Sequence, residues 1–142
     1  MNKNVKNDDN SIMIGGDSDK NRLFVESKNT RSIILNHNLK DAKDSLYERD
    51  SGLNHIICRF AKEKNITFII DLDELWNDYS NDLFLKARVF SRVMQNLRLF
   101  NKFKNSLKVM NLNGRTPREV QNLLITLGLN TSLSNSAVKN AS

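Results

Sequence analysis

The sequence is poor in the residue types that usually carry cross-links, metal centres or nucleotide sites. Its 142 residues include one cysteine, one proline, five glycines and two histidines. The single cysteine, Cys58, excludes a disulfide within the chain, and its place in an apolar helical stretch predicts a buried, unreactive thiol in a reducing compartment. No apolar run approaches the roughly 20 residues of a membrane-spanning helix, and the polar N-terminus is not a secretory signal. We therefore expect a cytoplasmic protein with no membrane contact.

The motifs of the common enzyme classes are also missing. No HExxH, CxxC or P-loop pattern occurs, and no Ser/His/Asp order indicates a nucleophile with its base. The pair Gly15-Gly16 is too short for a nucleotide-binding fingerprint and predicts a turn. His37 and His55 are well apart in sequence, whereas histidine-rich metal sites need several such residues together. We therefore predict no catalytic residue, no metal ligand and no cofactor bound by the chain itself.

The charge balance is basic. The sequence has 22 lysines and arginines against 16 aspartates and glutamates, which gives a formal net charge of +6. A basic balance favours an anionic partner, of which nucleic acid is the commonest, although many basic proteins bind none. Composition alone therefore leaves nucleic-acid binding open.

The chain is predicted to be a single domain between two tails. A chain of 142 residues can bury roughly two-thirds of its unfolded surface in one core. Residues 1–10 are polar and lack aromatic anchors, so we expect a disordered tail there. The domain spans residues 11–129, and the small, polar residues 130–142 predict a flexible C-terminal tail.

Strand and helix patterns alternate within the domain. Short apolar runs predict strands over residues 11–14, 32–35, 66–70 and 107–110. Helical spacing of apolar residues predicts helices over about 17–28, 52–64, 81–104 and 116–127. Alternation of this kind favours an α/β fold with a parallel sheet built from right-handed β–α–β crossovers. Four such units make half of a closed (βα)₈ barrel, which typically needs about 250 residues.

Capping residues mark the helix ends. Thr116, Pro117 and Glu119 stand at the N-cap, N1 and N3 positions, which predicts a capping box with a pre-set first turn. Gly128 is typical of the residue just past a helix end. Ser51 is predicted to be the N-cap of the helix that follows it.

Three carboxylates, Asp71, Asp73 and Glu74, follow the third predicted strand, which is apolar on both faces, as strands covered by helices on both sides are. Barrel enzymes place their active sites at this end of a strand. With His37 and His55, these carboxylates could bind a divalent metal for phosphodiester hydrolysis. The simpler interpretation is that Asp71 caps the next turn and that the other two are solvated.

Basic side chains suggest two anion-binding surfaces. Arg88 and Arg92 lie four residues apart, and so on one face of the long helix, with Lys102 further along. Such a row matches phosphates through charge and forked hydrogen bonds. The alternative is a solvated outer face of the helix. Arg115 and Arg118 lie at a helix N-terminus, where backbone N–H groups also favour anions.

One stretch of the sequence resembles a known family. Residues 50–55 read Asp-Ser-Gly-Leu-Asn-His and precede an apolar helix and a strand that ends in Asp71-Leu72. This element is similar to that of ribonuclease P protein component 3, an archaeal family with eukaryotic relatives. Weaker matches follow in the family's order: Gly15-Gly16-Asp17, Asn21-Arg22, Ala87-Arg88, Leu97-Arg98 and Thr116-Pro117-Arg118-Glu119-Val120. The resemblance runs from about residue 11 to residue 129.

The resemblance implies a fold and a function. The family's fold is a TIM-like barrel related to the polymerase and histidinol phosphatase (PHP) group. This chain is similar to the C-terminal part of that barrel, without the strands that normally precede Ser11. The implied role is that of a subunit of ribonuclease P, the ribonucleoprotein that removes the 5′ leader from precursor tRNA. In that family the RNA is the catalyst and binds the Mg²⁺, while the protein pairs with protein component 2, beside other protein components, and helps to hold the RNA fold.

The resemblance and the charge pattern together give the candidate site residues. Those expected to contact RNA are Arg49, Arg88, Arg92, Lys102, Arg115 and Arg118. Those expected to contact RNA or a partner through the motif are Asp50, Ser51, Asn54 and His55. Two other hypotheses stay open. One is a small metal-dependent phosphoesterase of the PHP type that uses Asp71, Asp73 and His55, and the other is an inactive truncated fragment.

Overall fold

The computed structural model describes residues 11–38, 51–76 and 82–139. The predicted disordered tail over residues 1–10 lies outside these residues, as do Arg49 and Asp50. The described residues form the predicted α/β fold, in which parallel strands alternate with helices. The strands are β1 (Ile12–Ile14), β2 (Ser32–Ile34), β3 (Thr67–Asp71) and β4 (Ser106–Met110).

The helices follow the predicted alternation closely. They are α1 (Ser18–Glu26), α2 (His55–Glu63), α3 (Asp73–Trp76), α4 (Leu83–Phe103), α5 (Pro117–Leu127) and α6 (Thr131–Val138). The helices predicted over about 81–104 and 116–127 are thus confirmed as α4 and α5. None of the helices in the described part of the chain is long and apolar enough to cross a membrane.

The order of the strands in space is the order of the strands in the chain. The strands β1, β2, β3 and β4 are neighbours in that sequence, and each adjacent pair is parallel. Because right-handed crossovers that always step in the same direction leave their helices on the same face of the sheet, this order is that of a barrel and not of a doubly wound sheet. The described residues therefore form a partial TIM-like barrel.

The core lies on the helix-facing side of the sheet. Ile33, Phe68 and Leu107 are side by side in the register of the three strands that carry them, and all three are buried. Phe68 stacks on Phe100 of α4, with 5.3 Å between the ring centroids. Aromatic contacts of this kind add to the free energy gained by burying the rings. The long helix is thereby fixed against the centre of the sheet.

The opposite face of the sheet is open along its outer strands. Ile12 and Ile14 of β1 are 45% and 70% exposed, and Lys108 of β4 is exposed as well. Ile14 lies beside Ile34 in the register, so the open face continues onto β2. The third strand itself, predicted to be covered on both faces, has Phe68, Ile69 and Ile70 buried.

The capping box of α5 is confirmed. The hydroxyl oxygen of Thr116 accepts a hydrogen bond from the backbone N–H of Glu119, and the Glu119 carboxylate accepts one from the backbone N–H of Thr116. Gly128 ends the helix with a φ of 120°, a left-handed conformation that suits glycine. These features are readable in the sequence because each involves residues only three or four positions apart.

The N-cap of α2 is Asn54, not Ser51 as predicted. The Asn54 side-chain oxygen accepts a hydrogen bond from the backbone N–H of Ile57 at 2.9 Å. Ser51 lies three residues earlier, too far upstream to reach the first turn, and its hydroxyl donates to the carbonyl of Leu53 at 3.4 Å. Both residue types cap helices well, so the choice between them depends on where the backbone enters the helix.

A helix also occupies most of the predicted flexible tail over residues 130–142. Helix α6 packs against α5 and β4 and buries Ser134 and Ala137. Asn101 of α4 accepts a hydrogen bond from the backbone N–H of Asn130, the N-cap of α6, at 2.8 Å. The described residues 130–139 therefore do not form a flexible tail. Small side chains let α6 approach its neighbours closely, although they give the segment little hydrophobic signal.

Cys58 lies in the middle of α2 and is fully buried, as predicted. Desolvation of the thiolate raises the pKa of Cys58 from 9.0 to about 12. The thiol is therefore protonated and unreactive at neutral pH.

Candidate functional site

The carboxyl ends of the strands open into a cleft of about 670 Å³. Its lining consists of Ile14, Ile34, Leu35, Asn36, Asn38, Asp71, Asp73, Glu74, Trp76 and Asn113. In barrel proteins this edge carries the functional site, because the loops after the strands converge there. Among the described residues, the lining includes three carboxylates and no lysine or arginine, so the cleft is acidic although the chain is basic.

Asp71 ends β3 and fixes the turn into α3. Its Oδ1 atom accepts hydrogen bonds from the backbone N–H of Asp73 at 2.9 Å and from the side-chain amide of Asn111 at 2.8 Å. The prediction that Asp71 caps the following turn is confirmed. Because both bonds use Oδ1, the Oδ2 atom has no hydrogen-bond partner among the described residues.

Two asparagines after β4 hold this acidic edge. Asn113 donates a hydrogen bond from its amide to the Asp73 carboxylate, beside the bond between Asn111 and Asp71. Asn111 and Asn113 have φ values of 63° and 53°, a left-handed conformation that asparagine tolerates better than most residues. The two amide–carboxylate pairs therefore tie the segment after β4 to the end of the neighbouring strand.

Arg115 and Trp76 form the rim of the cleft beside these pairs. The Arg115 guanidinium lies over the Trp76 ring, 3.8 Å from its centroid, and both side chains are half-buried. This cation–π contact occupies one flat face of the guanidinium and leaves its N–H edge for other partners. Arg115 is thus a fixed cation at the edge of the cleft.

A buried polar network lies behind the cleft and was not predicted. His37 is fully buried; its backbone N–H and its Nδ1 atom lie 3.1 and 2.7 Å from the Glu74 carboxylate oxygens. The other ring nitrogen, Nε2, lies 3.0 Å from the side-chain amide nitrogen of Asn96. Since that amide donates, Nε2 is the acceptor and Nδ1 carries the proton that is donated to Glu74. Both ring nitrogens are therefore engaged.

Arg92 belongs to this network and not to an exposed basic row. It is 1% exposed, and its guanidinium donates a hydrogen bond to the backbone carbonyl of His37 at 3.0 Å. The prediction that Arg88 and Arg92 share an outer, phosphate-facing surface is wrong for Arg92. Its position, between the buried residues Val89 and Val93, places it on the core side of α4. The helical spacing indicates this side, but an arginine is so rarely buried that its charge favours the opposite interpretation.

The motif residues that the structure describes are held by the same network. The Gln95 amide donates to the Ser51 hydroxyl, and the Asn96 amide donates to the Ser51 carbonyl, both at 3.1 Å. The Asn21 amide donates to the carbonyl of Gly52 at 2.8 Å. Ser51 is 3% exposed. In the described residues, the Ser51–Gly52 segment is therefore a junction between α1, α2 and α4, and its polar groups face inwards.

The residues of the phosphoesterase hypothesis do not come together. His55 is exposed in the first turn of α2 and does not line the cleft, whereas Asp71 and Asp73 do. Among the described residues, no group of three or more histidine, cysteine, aspartate or glutamate side chains is placed to hold a metal ion. The described part of the chain therefore does not assemble the metal centre on which that hypothesis depends.

The remaining basic candidates are exposed but spread out. Arg88, Lys102 and Arg118 are all exposed. Arg88 and Lys102 lie 14 positions apart on α4, which is about 21 Å along the helix axis. Because α4 follows β3 and leads back to β4, Arg88 lies towards the cleft end of the sheet and Lys102 towards the opposite end. Arg118, in the first turn of α5, lies at the cleft end as well.

The fold and the cleft define an α/β protein with a partial TIM-like barrel, whose loops gather at the carboxyl edge of a parallel sheet. No family model and no curated protein matches the chain. A chain in the cryo-EM structure of archaeal ribonuclease P with mature tRNA has a similar fold, with a TM-score of 0.66 and 21% identity over 90% of this chain. The match covers 52% of the archaeal chain, so this chain spans about half of its length.

Proposed function

We propose that this chain is a protein subunit of a ribonuclease P and supports the catalytic RNA in removing the 5′ leader from precursor tRNA. The observation that carries the proposal is the similarity of nearly the whole chain to part of a chain of archaeal ribonuclease P. The Asp-Ser-Gly-Leu-Asn-His motif at residues 50–55 supports the same assignment independently. By that resemblance, the protein belongs to component 3, and its protein neighbours are component 2 and the other protein components.

In this proposal the chain is not itself the catalyst. The acidic side chains of the cleft have structural partners: Glu74 holds His37, and Asp71 and Asp73 hold the two asparagines after β4. The catalytic RNA supplies the reaction centre and binds the Mg²⁺, and the protein contributes by neutralising and fixing RNA phosphates.

The RNA contacts are assigned to the exposed basic side chains Arg88, Lys102 and Arg118, and to the N–H edge of Arg115. Their charge would act on phosphates without reading the base sequence, so binding would weaken as salt rises. The acidic cleft would repel a phosphate backbone, which favours an RNA path on the helix surface and along the rim. Arg49 is a further candidate from the sequence, outside the described residues.

The test is precursor-tRNA cleavage by the reconstituted RNA and the other protein components at limiting Mg²⁺, with and without this chain. Restored 5′ cleavage is the expected result. If the chain has no effect while the longer archaeal subunit restores cleavage in the same mixture, the proposed function is wrong for this chain.

A matched pair of triple variants tests the RNA contacts. Replacing Arg88, Lys102 and Arg118 by alanine should lower the affinity for the RNA and reduce the slope of log K against log salt by roughly 0.7–0.9 for each phosphate that is no longer neutralised. The control replaces three other exposed basic residues, Lys28, Arg31 and Lys139, and so removes the same charge. Equal effects of the two variants would mean that net charge, and not these positions, controls binding.

A further inference from the structure

One aromatic side chain is almost fully exposed. Phe84, in the first turn of α4, is 86% exposed, whereas Phe60 is 37% exposed and every other described phenylalanine or tryptophan is less exposed than that. Its neighbour Leu83 is 73% exposed. Isolated exposed apolar residues are common on protein surfaces, and Leu23 of α1 is one of them. Phe84 differs from such a residue because basic side chains follow it along the same side of its helix.

Helix α4 is basic along its whole length. It contains five lysines and arginines and no aspartate or glutamate. With 3.6 residues per turn, Lys102 lies on the same line of the helix surface as Phe84, and Arg88 and Arg98 lie within about 40° of that line. The three basic residues are exposed. Lys102 is about 27 Å from Phe84 along the helix axis, so the cations extend from the aromatic ring to the other end of α4. We call Phe84, Arg88, Arg98 and Lys102 the outer row.

The side chains within the outer row leave room for a ligand. Ala87 and Ser91 follow Phe84 by about one and two helical turns on the same side, and both have short side chains. A flat group can therefore lie against the ring without meeting a bulky neighbour. The nearest carboxylate in the sequence, Asp82, is the N-cap of α4, and its Oδ1 atom accepts a hydrogen bond from the backbone N–H of Leu85 at 2.9 Å. An anion along the outer row would thus meet no carboxylate of α4.

We propose that the outer row binds an unpaired segment of RNA, with one base stacked on the Phe84 ring and the neighbouring phosphates held by the basic residues of the row. An aromatic ring binds a base through its flat face, and that face is accessible only where the base is unpaired. A duplex covers these faces and would leave Phe84 without a partner. The inference rests on the proposed function for the class of its partner, and it adds Phe84 and Arg98 to the RNA contacts.

A protein partner fits the outer row less well. Surfaces that dock proteins usually present a contiguous apolar patch. Here the exposed apolar residues end at Ala87, and the next residues on the same side are Ser91 and Gln95. Cations that recur along a helix without carboxylates between them match a partner whose negative charges also recur at short intervals, as those of a nucleic-acid backbone do. Charge therefore favours RNA over a polypeptide.

The experiment measures, by fluorescence anisotropy, the affinity of the full chain for single-stranded oligouridylate of about 12 nucleotides, a length within the range that single-strand-binding proteins cover. Phe84→Ala should weaken binding about 5- to 150-fold, the range expected for the loss of one base–aromatic stack. Phe84→Tyr keeps the ring and should bind as the wild type does. Phe84→Leu keeps apolar surface without a ring and should bind as weakly as Phe84→Ala. The control Leu23→Ala removes another exposed apolar side chain, 67% exposed on α1, and should leave the affinity unchanged.

Salt and a probe without bases separate the ring from the cations. Phe84→Ala should leave the slope of log K against log salt unchanged, because the ring neutralises no phosphate, whereas Arg98→Ala should reduce it by about 0.7. Inorganic polyphosphate carries the charge but no base, so wild type and Phe84→Ala should bind it equally well. Because Phe84 and Arg98 are exposed, both variants should keep the unfolding temperature of the wild type.

Three results would overturn the proposal. Equal affinity of wild type and Phe84→Ala for oligouridylate would mean that no base stacks on the ring. An equal loss of affinity for polyphosphate would mean that the substitution acts through the helix and not through a base. Unchanged RNA affinity together with weaker capture of the other ribonuclease P protein components would assign the row to a protein.

The cleavage test of the proposed function gives a separate answer. A chain that restores 5′ cleavage but binds RNA equally well with Phe84→Ala keeps the proposed function and loses this inference. A chain that binds oligouridylate through Phe84 but restores no cleavage keeps this RNA-binding row and loses the proposed function.

Discussion

Replacing Asn96 by leucine should destabilise the protein more than any exposed substitution can, because this residue donates two of the hydrogen bonds that join α4 to the buried network. Its amide nitrogen lies 3.0 Å from His37 Nε2 and 3.1 Å from the backbone oxygen of Ser51. His37 is 0% exposed and Ser51 is 3% exposed. After the substitution, water cannot easily replace the missing donor, and both acceptors are left unpaired.

The size of the effect follows from those two acceptors. Leaving a buried polar group without a partner costs about 1–3 kcal/mol, so two of them give about 2–6 kcal/mol. A domain of this kind has a total stability of about 5–15 kcal/mol, so the variant should lose a large fraction of it. With a urea m-value of about 2 kcal/mol/M, the unfolding midpoint should fall by about 1–3 M.

Urea unfolding followed by circular dichroism measures this midpoint, and the m-value must stay constant for the comparison to hold. Asn122→Leu is the control, because Asn122 is exposed on α5 and its substitution should change stability by less than about 0.5 kcal/mol. Nitrogen NMR of His37 gives a second readout, with Nδ1 protonated in the wild type. A decrease in stability below about 1 kcal/mol at constant m would refute the role assigned to Asn96.

Three further predictions concern single positions. Gly52→Ala should destabilise the protein more than Gly114→Ala. Both glycines have positive φ, 84° and 80°, but a Cβ at Gly52 would lie 2.9 Å from a backbone oxygen, whereas one at Gly114 would meet nothing within 4 Å. Equal decreases in the melting temperature of the two variants would contradict this. Burial raises the pKa of Cys58 in the folded protein to about 12, from an ordinary value of 9.0. The stability that depends on the protonated thiol is therefore fully present below pH 9 and is lost between pH 9 and 12. Replacing Cys58 by alanine should make the free energy of unfolding depend less on pH in that range, as measured by denaturation at a series of pH values. Arg115→Ala should change the emission of Trp76, the sole tryptophan, and cost about 0.5–2 kcal/mol; an unchanged spectrum would mean that the two side chains do not stack in solution.

The sequence predicted features that depend on near neighbours along the chain. The capping box at Thr116 and the stop at Gly128 are local hydrogen-bond patterns, and the alternation of strands and helices follows from the spacing of apolar residues. The role of Asp71 was predicted correctly for the same reason, since the N–H that it caps is two residues away.

The features that the sequence did not predict depend on distant partners. Arg92 is buried because the carbonyl of His37, 55 positions away, accepts its hydrogen bond, and no local pattern contains that interaction. The same holds for Asn96, which binds His37 over 59 positions. Helix α6 was not predicted because its small residues carry little hydrophobic signal, although Ala137 is buried against the rest of the fold.

The strands have the same order in space as in the chain. This order affects how the protein folds and how its length can change. Each strand pairs only with the strands before and after it in sequence, so stability accumulates unit by unit, as in a repeat protein. Contacts between successive units span short stretches of chain, which favours rapid folding. A unit added or removed at either end alters a single interface, and the remaining units keep their own neighbours.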